Sequence, residues 1–306
     1  MRIRATVAAA SGALALSALT VPAAQAADAH HPSHDDLARM LGTAHGATPF
    51  TATPGKDAEP YRLDLSFSKV KVNHGKPVVA GAAKVVEVSV TFTVTHSADI
   101  DLTADDTYLD VQLYRGRTYE TADNELTGSA EGPSCKTVSA TKADCTATIE
   151  VDPYYALENE DATTWKLAGS AVAFNGQDET SPDPAKVGYV LYENLATTKL
   201  QRSSKLTADA SPEPVKKDKT LTVTGKLTRA NWDHHDYRDY ADQAVNLQFR
   251  KKGSTTYATL KTIKASSTGT LKTTVKATAD GYYRYSFTGT STTPAVNATG
   301  DYVDVK

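Results

Sequence analysis

The residues best suited to chemistry stand together in residues 231–242, which read NWDHHDYRDYAD. Aromatic side chains beside carboxylates can stack on sugar rings and bind their hydroxyl groups, and histidines with aspartates can hold a metal ion. His234 and His235 are poor joint ligands, because neighbouring side chains on an extended backbone point in opposite directions. The same aromatic residues could instead plug the open end of a β-sandwich. Both interpretations rest on Trp232, Tyr237 and Tyr240.

A second group of candidate ligands is acidic and lies between two predicted strands. Calcium takes about six to eight oxygen ligands, and carboxylates at a sandwich edge could supply several of them. The EF-hand pattern is not met, since Ala104 stands where the turn glycine is needed and no glutamate closes the loop. A calcium site and a solvated acidic loop therefore both stay open. The residues concerned are Asp99, Asp101, Asp105, Asp106 and Asp110.

Histidines and aspartates also cluster in residues 27–60, a segment rich in Ala, Pro, Thr and Gly. Such a cluster can bind zinc or copper, but its composition predicts a disordered tail, which cannot preorganise a metal site. A solvated tail is therefore the favoured interpretation. The residues are His30, His31, His34, Asp35, Asp36 and His45.

The sequence carries none of the common catalytic signatures. It has no GxSxG nucleophile turn, no HExxH, no phosphate-binding glycine loop and no GxGxxG after a strand. Glu158, Glu160 and Asp161 follow two tyrosines and could form a glycosidase pair, but that requires a separation between carboxyl groups that a sequence does not give. We therefore predict that the protein is not an enzyme.

Alternating apolar residues predict the elements that must position these groups. The clearest strand covers residues 84–97, where Val86, Val88, Val90, Phe92 and Val94 share one face. Such alternation is typical of an antiparallel strand with one face in a core and one in water. Further strands are predicted at 61–72, 108–114, 143–151, 165–174 and 187–192. About seven strands with almost no helical period predict a β-sandwich over residues 61–202.

The last hundred residues repeat this pattern and predict a second sandwich over residues 203–306. Strands are predicted near Leu206 and at 220–227, 244–250, 256–263, 271–277, 281–287 and 301–305. The strand after the turn at Asp280 places Tyr283, Tyr285 and Phe287 on one face, as in the penultimate strand of an immunoglobulin-like (Ig-like) sandwich. A joint over 200–219 that contains Pro212 and Pro214 predicts a fixed end-to-end relation between the sandwiches.

The N-terminus and the cysteines indicate export. Arg2 and Arg4, the apolar residues 3–21 and a small-x-small site at 24–26 predict a cleaved signal peptide over residues 1–26. The two cysteines, Cys135 and Cys145, are expected to form a disulfide in an oxidising compartment. We expect a secreted, extracellular protein without a membrane anchor.

Charge divides the chain into two halves. Residues 27–202 carry 15 basic and 26 acidic side chains, and residues 203–306 carry 16 basic and 10 acidic ones. This asymmetry predicts either docking of one half on the other or different external partners for each. Export and an acidic chain argue against nucleic acid. The basic side chains that could meet anionic wall polymers are Lys216, Lys217, Lys219, Arg250, Lys251 and Lys252.

Residues 202–306 also resemble a known kind of module through the segments LTADASPEPVKK, LTVTGKLTRANW, AVNLQFRKKGSTTY, STGTLKTTVKATADGYYRYSF and GDYVDVK. They resemble the C-terminal bacterial Ig-like module of secreted actinobacterial proteins without an assigned function. The resemblance implies an exported, noncatalytic architecture and transfers no catalytic residue.

The sequence thus predicts an all-β chain of two tandem Ig-like sandwiches, residues 61–202 and 203–306, after a signal peptide and a disordered tail. The predicted function is non-enzymatic binding or structure, at a cell surface or in extracellular matrix. Calcium binding, polysaccharide binding and polysaccharide hydrolysis are the alternatives. No cofactor is expected, with calcium as the one alternative, and the candidate partners are a cell-wall polymer and an extracellular protein.

Overall fold

A computed structural model describes residues 60–129 and 131–306. The predicted signal peptide lies outside the described residues, as does the predicted tail with its histidine cluster, apart from Pro60. Both sandwiches described below fall within one compact unit. No helix in the part of the chain that the structure describes is long and apolar enough to cross a membrane.

The first sandwich is built from strands whose buried and exposed residues alternate. In the longest of its antiparallel pairings, Val88, Val90 and Val94 of one strand are fully buried, while the intervening Ser89 and Thr91 are partly exposed. The strands are β1 Tyr61–Arg62, β2 Leu65–Val72, β3 Val78–Ala80, β4 Val86–His96, β5 Thr107–Gly116, β6 Ala122–Leu126, β7 Ser134–Ser139, β8 Lys142–Val151, β9 Thr164–Ala173 and β10 Gly188–Arg202. Short 3₁₀ turns lie at Asn73–Gly75, Asn159–Asp161 and Pro184–Lys186.

These strands form two sheets that share one core. One sheet has the order β2-β4-β8-β7, and the other has the order β1-β10-β9-β5-β6, with β3 also paired to β10. The short strands β1 and β3 run parallel to β10, while the other pairs are antiparallel. Val90 from the first sheet and Val111 and Leu167 from the second belong to the same buried cluster. Two sheets closed on one core make a β-sandwich.

The second sandwich repeats this plan with shorter strands. Its strands are β11 Ser204–Leu206, β12 Asp209–Ser211, β13 Thr220–Asn231, β14 Asp236–Asp239, β15 Ala244–Lys251, β16 Ala258–Lys264, β17 Thr270–Lys276, β18 Gly281–Phe287, β19 Val296–Asn297 and β20 Asp301–Val303. Strand β13 pairs with β11, β12, β14 and β17 in one sheet, and the other sheet has the order β16-β15-β18-β19 with β20 on β18. The all-β fold class predicted from the sequence is confirmed.

The aromatic strand β18 is the centre of the second core. Tyr283, Tyr285 and Phe287 are buried, and the residues between them face the opposite side of the sheet. The Tyr285 hydroxyl crosses the sandwich and donates a 2.8 Å hydrogen bond to the carbonyl oxygen of Val223 on β13. Gly225 is required beside it, because a side chain there would overlap the Tyr285 ring and the Thr207 carbonyl. Burial raises the pKa of Tyr285, so its hydroxyl keeps the donated proton.

The two sandwiches follow each other almost without a linker. Strand β10 ends at Arg202 and β11 begins at Ser204, so a single residue, Ser203, separates them. The joint predicted over residues 200–219 is therefore shorter in the structure, and Pro212 and Pro214 come after β12, inside the second sandwich.

Several strands of the structure were not predicted. Strands β3, β6, β7 and β14 are short or polar, and β7 is exposed at all but one of its positions, so they lack the apolar alternation on which the prediction depends. The predicted strand at 61–72 is divided into β1 and β2, which join different sheets.

Candidate binding cleft at the junction of the sandwiches

Trp232 lies just after strand β13 of the second sandwich but belongs to the core of the first. Its side chain is fully buried in the cluster that contains Val90 and Leu167. The indole Nε1 donates a 2.8 Å hydrogen bond to the carbonyl oxygen of Gly81, beside strand β3. A fully buried indole offers no face to a sugar ring. Trp232 instead fills the junction between the two sandwiches.

The other two aromatic residues of the 231–242 stretch are divided between the sandwiches. Tyr237 packs against the first core, and the Lys205 ammonium lies 3.7 Å from its ring centroid. Tyr240 packs against the second core, with its ring centroid 5.7 Å from that of Phe287. The stretch is therefore interlocked with both sandwiches.

Asn159, which no sequence pattern identified, holds this stretch from the side of the first sandwich. Its backbone N–H donates to Asp233 Oδ1 at 2.8 Å, and its side-chain Nδ2 donates to Asn231 Oδ1 at 3.1 Å and also to Asp233 Oδ2. The Trp232 backbone N–H donates to Asn159 Oδ1 at 3.0 Å. Donors and acceptors of one amide side chain thus position the loop that carries Trp232.

Backbone hydrogen bonds continue the junction on the other side of Trp232. Ser203 N donates to the Ala80 carbonyl and Ala230 N donates to the Ser203 carbonyl, both at 2.8 Å. The Arg202 guanidinium is 8% exposed and donates through Nε to the Ala230 carbonyl at 2.6 Å. Burial, with the nearby charge of Arg229, lowers the pKa of Arg202 to about 10. Arg202 therefore stays charged at neutral pH.

A cleft of 490 Å³ opens beside Asn159, and we call it the junction cleft. Its walls come from the loop at 154–161 and strands β5 and β6 of the first sandwich, together with the loop at 232–235 of the second. Two stretches that the sequence singled out separately, the acidic residues near Tyr154 and the histidine pair, thus meet in one place. The lining includes Arg115, Asp123, Tyr154, Tyr155, Glu158, Glu160, Asp161, Asp233 and His235.

Arg115 on β5 organises the floor of the junction cleft. Its guanidinium lies 2.7 Å from Asp161, 2.9 Å from Glu160 and 3.5 Å from Asp123. Burial opposes the charge of Arg115, but the carboxylates, Asp161 foremost, raise its pKa. Asp161 is only 1% exposed and also accepts hydrogen bonds from Asn124 Nδ2 at 2.9 Å and Glu158 N at 2.8 Å. Asp161 is therefore committed to holding the floor together, while Asp123 and Glu160 also face solvent.

Aromatic rings form the rim of the junction cleft. The rings of Tyr154 and His235 are stacked with centroids 4.0 Å apart, and Tyr155 meets Tyr154 edge-on at 4.8 Å. Tyr155 is 86% exposed. The His235 Nδ1 atom is buried and has no hydrogen-bond partner among the described residues. With five carboxylates against one guanidinium, the cleft offers acceptors and ring faces to a ligand that brings hydrogen-bond donors.

The acidic stretch at 99–110 is spread over several turns. Asp101 Oδ1 accepts hydrogen bonds from Thr103 N at 2.8 Å and Thr103 Oγ1 at 2.7 Å, and these bonds lower the pKa of Asp101. Asp106 accepts from Gly176 N at 2.6 Å, and Asp110 accepts from Val111 N at 2.7 Å. A hydrogen bond from Ser97 lowers the pKa of Asp99.

No group of three or more His, Cys, Asp or Glu side chains that could hold a metal ion occurs in residues 60–129 and 131–306. Asp105, His234 and His235 therefore belong to no such group. The calcium interpretation therefore gains no support from the part of the chain that the structure describes.

The two cysteines form the predicted disulfide. Cys135 on β7 and Cys145 on β8 stand directly opposite each other, and their sulfur atoms are bonded. The disulfide fastens the outer strand of the β2-β4-β8-β7 sheet to its neighbour. It joins adjacent strands of one sheet and leaves both cysteines without a free thiol.

The sheets and cores define the class of protein as a tandem of Ig-like β-sandwiches. In the first sandwich, the consecutive strands β4 and β5 lie in different sheets, where β4 pairs with β8 and β5 pairs with β9. In the second sandwich, β13 pairs with β17 in one sheet and β15 pairs with β18 in the other. This crossing between sheets is the Greek-key arrangement of Ig-like folds.

Comparisons with known proteins do not assign the chain to a family. No family model matches the chain, and no curated protein matches it. Among solved structures, it is similar to the ectodomain of mouse nectin-like molecule 4, with 14% identity over 80% of this chain and 65% of that one, at a TM-score of 0.22. It is also similar to the Yersinia pseudotuberculosis adhesin InvE, with 11% identity over 78% of this chain and 58% of that one, at a TM-score of 0.24. The chain thus spans less than two thirds of either structure, and at these TM-scores the similarities carry no argument.

Proposed function

We propose that the protein is a secreted, non-enzymatic binding protein that acts at a cell surface or in extracellular matrix, with the junction cleft as its recognition site. Export is supported by the signal-peptide pattern in the sequence and by the disulfide, since disulfides form and persist in oxidising compartments. The favoured partner is an extracellular protein, and a cell-wall polysaccharide is the alternative.

The observation that carries the proposal is the aromatic rim on a polar cleft whose walls come from both sandwiches. Tyrosine is enriched at the energetic centres of protein interfaces, where its ring packs and its hydroxyl hydrogen-bonds. Tyr155 exposes nearly its whole ring and touches Tyr154, which is itself supported by His235. A partner that covered these rings would remove their apolar surface from water.

The contacts of the carboxylates favour binding over catalysis. A general acid or base needs a proton or a lone pair that points at the substrate. Asp161 directs its oxygens to Arg115, Asn124 and the Glu158 backbone, and Glu160 is paired with Arg115. These groups stabilise the cleft floor.

Polysaccharide binding is the second candidate, and the rim tyrosines favour it specifically. Sugar rings stack on aromatic faces, and their hydroxyl groups donate to carboxylate oxygens of the kind that line the junction cleft. Trp232 cannot take this role, because it is fully buried. Tyr154 and Tyr155 would take it.

The test compares binding of three purified mature chains, residues 27–306, to an array of cell-wall polysaccharides and to intact cells. The chains are the unchanged protein, Tyr155→Ala, and Val138→Ala as a control at another exposed apolar position, on β7. We expect Tyr155→Ala to weaken binding about tenfold or more, as for a central interface tyrosine, while Val138→Ala binds like the unchanged protein. Binding that survives Tyr155→Ala unchanged would exclude the cleft rim as the recognition site. Capture by polysaccharides rather than by protein on the cells would select the second candidate.

A further inference from the structure

The second sandwich carries a row of stacked cations and tyrosines on the outer side of the sheet that contains β15, β18 and β20. Arg250, Tyr282 and Tyr302 are direct neighbours across these three strands, and Arg284 lies next to them on β18. Tyr257, between β15 and β16, lies with its ring against the guanidinium groups of both Arg250 and Arg284. We call Arg250, Arg284, Tyr257, Tyr282 and Tyr302 the arginine–tyrosine face. All five side chains are partly exposed.

Ring stacking holds both guanidinium groups in place. The Cζ atom of Arg250 lies 4.0 Å from the ring centroid of Tyr282, and that of Arg284 lies 3.8 Å from the centroid of Tyr257. The Tyr282 and Tyr302 rings are in contact, with centroids 5.2 Å apart. Guanidinium groups that are already stacked lose little side-chain freedom when they bind a ligand.

The hydrogen bonds of the two arginines leave binding capacity free. Arg250 donates through Nη1 to the Ser254 carbonyl at 2.7 Å, and Arg284 donates through Nε to Gln248 Oε1 at 2.9 Å. Hydrogen bonds with Tyr257 and Tyr282 also hold Arg250 and raise its pKa, the bond with Tyr257 foremost. Within the described residues, neither guanidinium forms an ion pair with a carboxylate. This differs from Arg115 in the junction cleft, which meets three carboxylates. The arginine–tyrosine face therefore presents two unneutralised, preorganised cations.

We propose that the arginine–tyrosine face binds an acidic polysaccharide that carries carboxylate groups, and that this site is separate from the junction cleft. A guanidinium group binds a carboxylate through two parallel hydrogen bonds, which fits the two terminal nitrogens of Arg284, and Arg250 adds a second unneutralised charge beside it. Sugar rings supply the flat, partly apolar surface that the tyrosines can cover. A polyphosphate chain offers anions without rings, so the tyrosines favour the polysaccharide.

Charge complementarity extends beyond the two arginines. The second sandwich carries 16 basic and 10 acidic side chains over residues 203–306. Lys252 borders the face, with its ammonium 5.4 Å from the Tyr302 ring centroid and 3.8 Å from Asp280, which neutralises part of its charge. An excess of positive charge raises the local concentration of a polyanion and speeds its association at low ionic strength.

The experiment measures the affinity of the mature chain for polygalacturonate by isothermal titration calorimetry, with dextran as a neutral polymer and polyphosphate as an anion without sugar rings. The main variant is Arg250→Gln with Arg284→Gln. The matched control is Lys272→Gln with Lys276→Gln, which removes the same charge from exposed positions on β17, in the other sheet. We expect the arginine variant to weaken polygalacturonate binding by about tenfold or more, because it removes charge-assisted bidentate pairs, and the lysine control to weaken it by less than about threefold.

Two further measurements separate the site from general charge and from folding. Arg284→Lys keeps the positive charge and removes the planar guanidinium group, so it should weaken polygalacturonate binding measurably. This single variant replaces the double variant in the experiment if the double variant does not fold. Tyr155→Ala in the junction cleft should leave polygalacturonate binding unchanged, which distinguishes this proposal from the proposed function. Equal losses in the arginine and lysine variants, absence of polygalacturonate binding, or binding of polyphosphate alone would each overturn the proposal.

Discussion

Trp232 packs across the junction of the two sandwiches. A tryptophan side chain buries a large apolar area, and its indole N–H needs an acceptor when it leaves water. Here the apolar ring enters the first core and the N–H meets the Gly81 carbonyl. A side chain from one sandwich thus stabilises the core of the other.

Replacing Trp232 should therefore destabilise the protein strongly. We expect Trp232→Ala to lower the free energy of unfolding by about 3–5 kcal/mol, the usual effect of truncating a buried aromatic side chain. Urea denaturation of the mature chain measures this change. Tyr155→Ala is the control, and at 86% exposure it should change stability by less than about 0.5 kcal/mol. If both variants lost the same small amount, Trp232 would not be a core residue.

Individual residues of the junction show which contacts could not be predicted from the sequence. The 231–242 stretch could be recognised as a ligand site or a plug, but its packing into the first sandwich depends on contacts with Gly81 and Asn159, both more than 70 positions away. Asn159 stands among acidic residues and carries no pattern of its own. Arg115 lies at the end of a strand that was predicted, yet its three carboxylate partners come together only in the folded chain.

Strands with regularly alternating apolar residues could be predicted from the sequence, whereas polar edge strands could not. Strands β4 and β18 were predicted from their apolar residues alone, because one face of each must lie in a core. Strand β7 has the pattern SCKTVS and is mostly exposed, so hydrophobicity does not identify it. Its place in the sheet depends on the pairing with β8 and on the disulfide to Cys145.

Strand β7 is an edge strand, so the disulfide should contribute much of its attachment. We expect Cys135→Ser with Cys145→Ser to lower the free energy of unfolding by about 2–3 kcal/mol, the chain-entropy contribution of so short a loop. Guanidinium denaturation, with and without a reductant, measures it. A reductant should destabilise the unchanged protein and leave the serine variant as it was. A serine variant as stable as the unchanged protein would contradict the expectation.

For the whole molecule, the junction joins two cores into one structure. Sandwiches connected by a flexible linker usually unfold independently, because few contacts cross between them. In this chain a single residue, Ser203, links the sandwiches. Its backbone is hydrogen-bonded to Ala80 of the first sandwich and to Ala230 of the second. Asn159 and Trp232 add side-chain contacts across the same junction. The junction cleft therefore keeps its shape only while both sandwiches are folded.

This coupling predicts that the two sandwiches unfold together. Differential scanning calorimetry of the mature chain should show one transition, whose calorimetric and van't Hoff enthalpies agree. Asn159→Ala combined with Trp232→Ala removes the Asn159 hydrogen bonds and the Trp232 packing across the junction, and we expect it to divide the transition into two. Tyr155→Ala should keep the single transition, since its ring lies on the rim of the cleft and bridges nothing in the junction. Two well-separated transitions in the unchanged protein would show that the junction does not couple the cores, and a cleft formed by both sandwiches would then vary in shape with their relative movement.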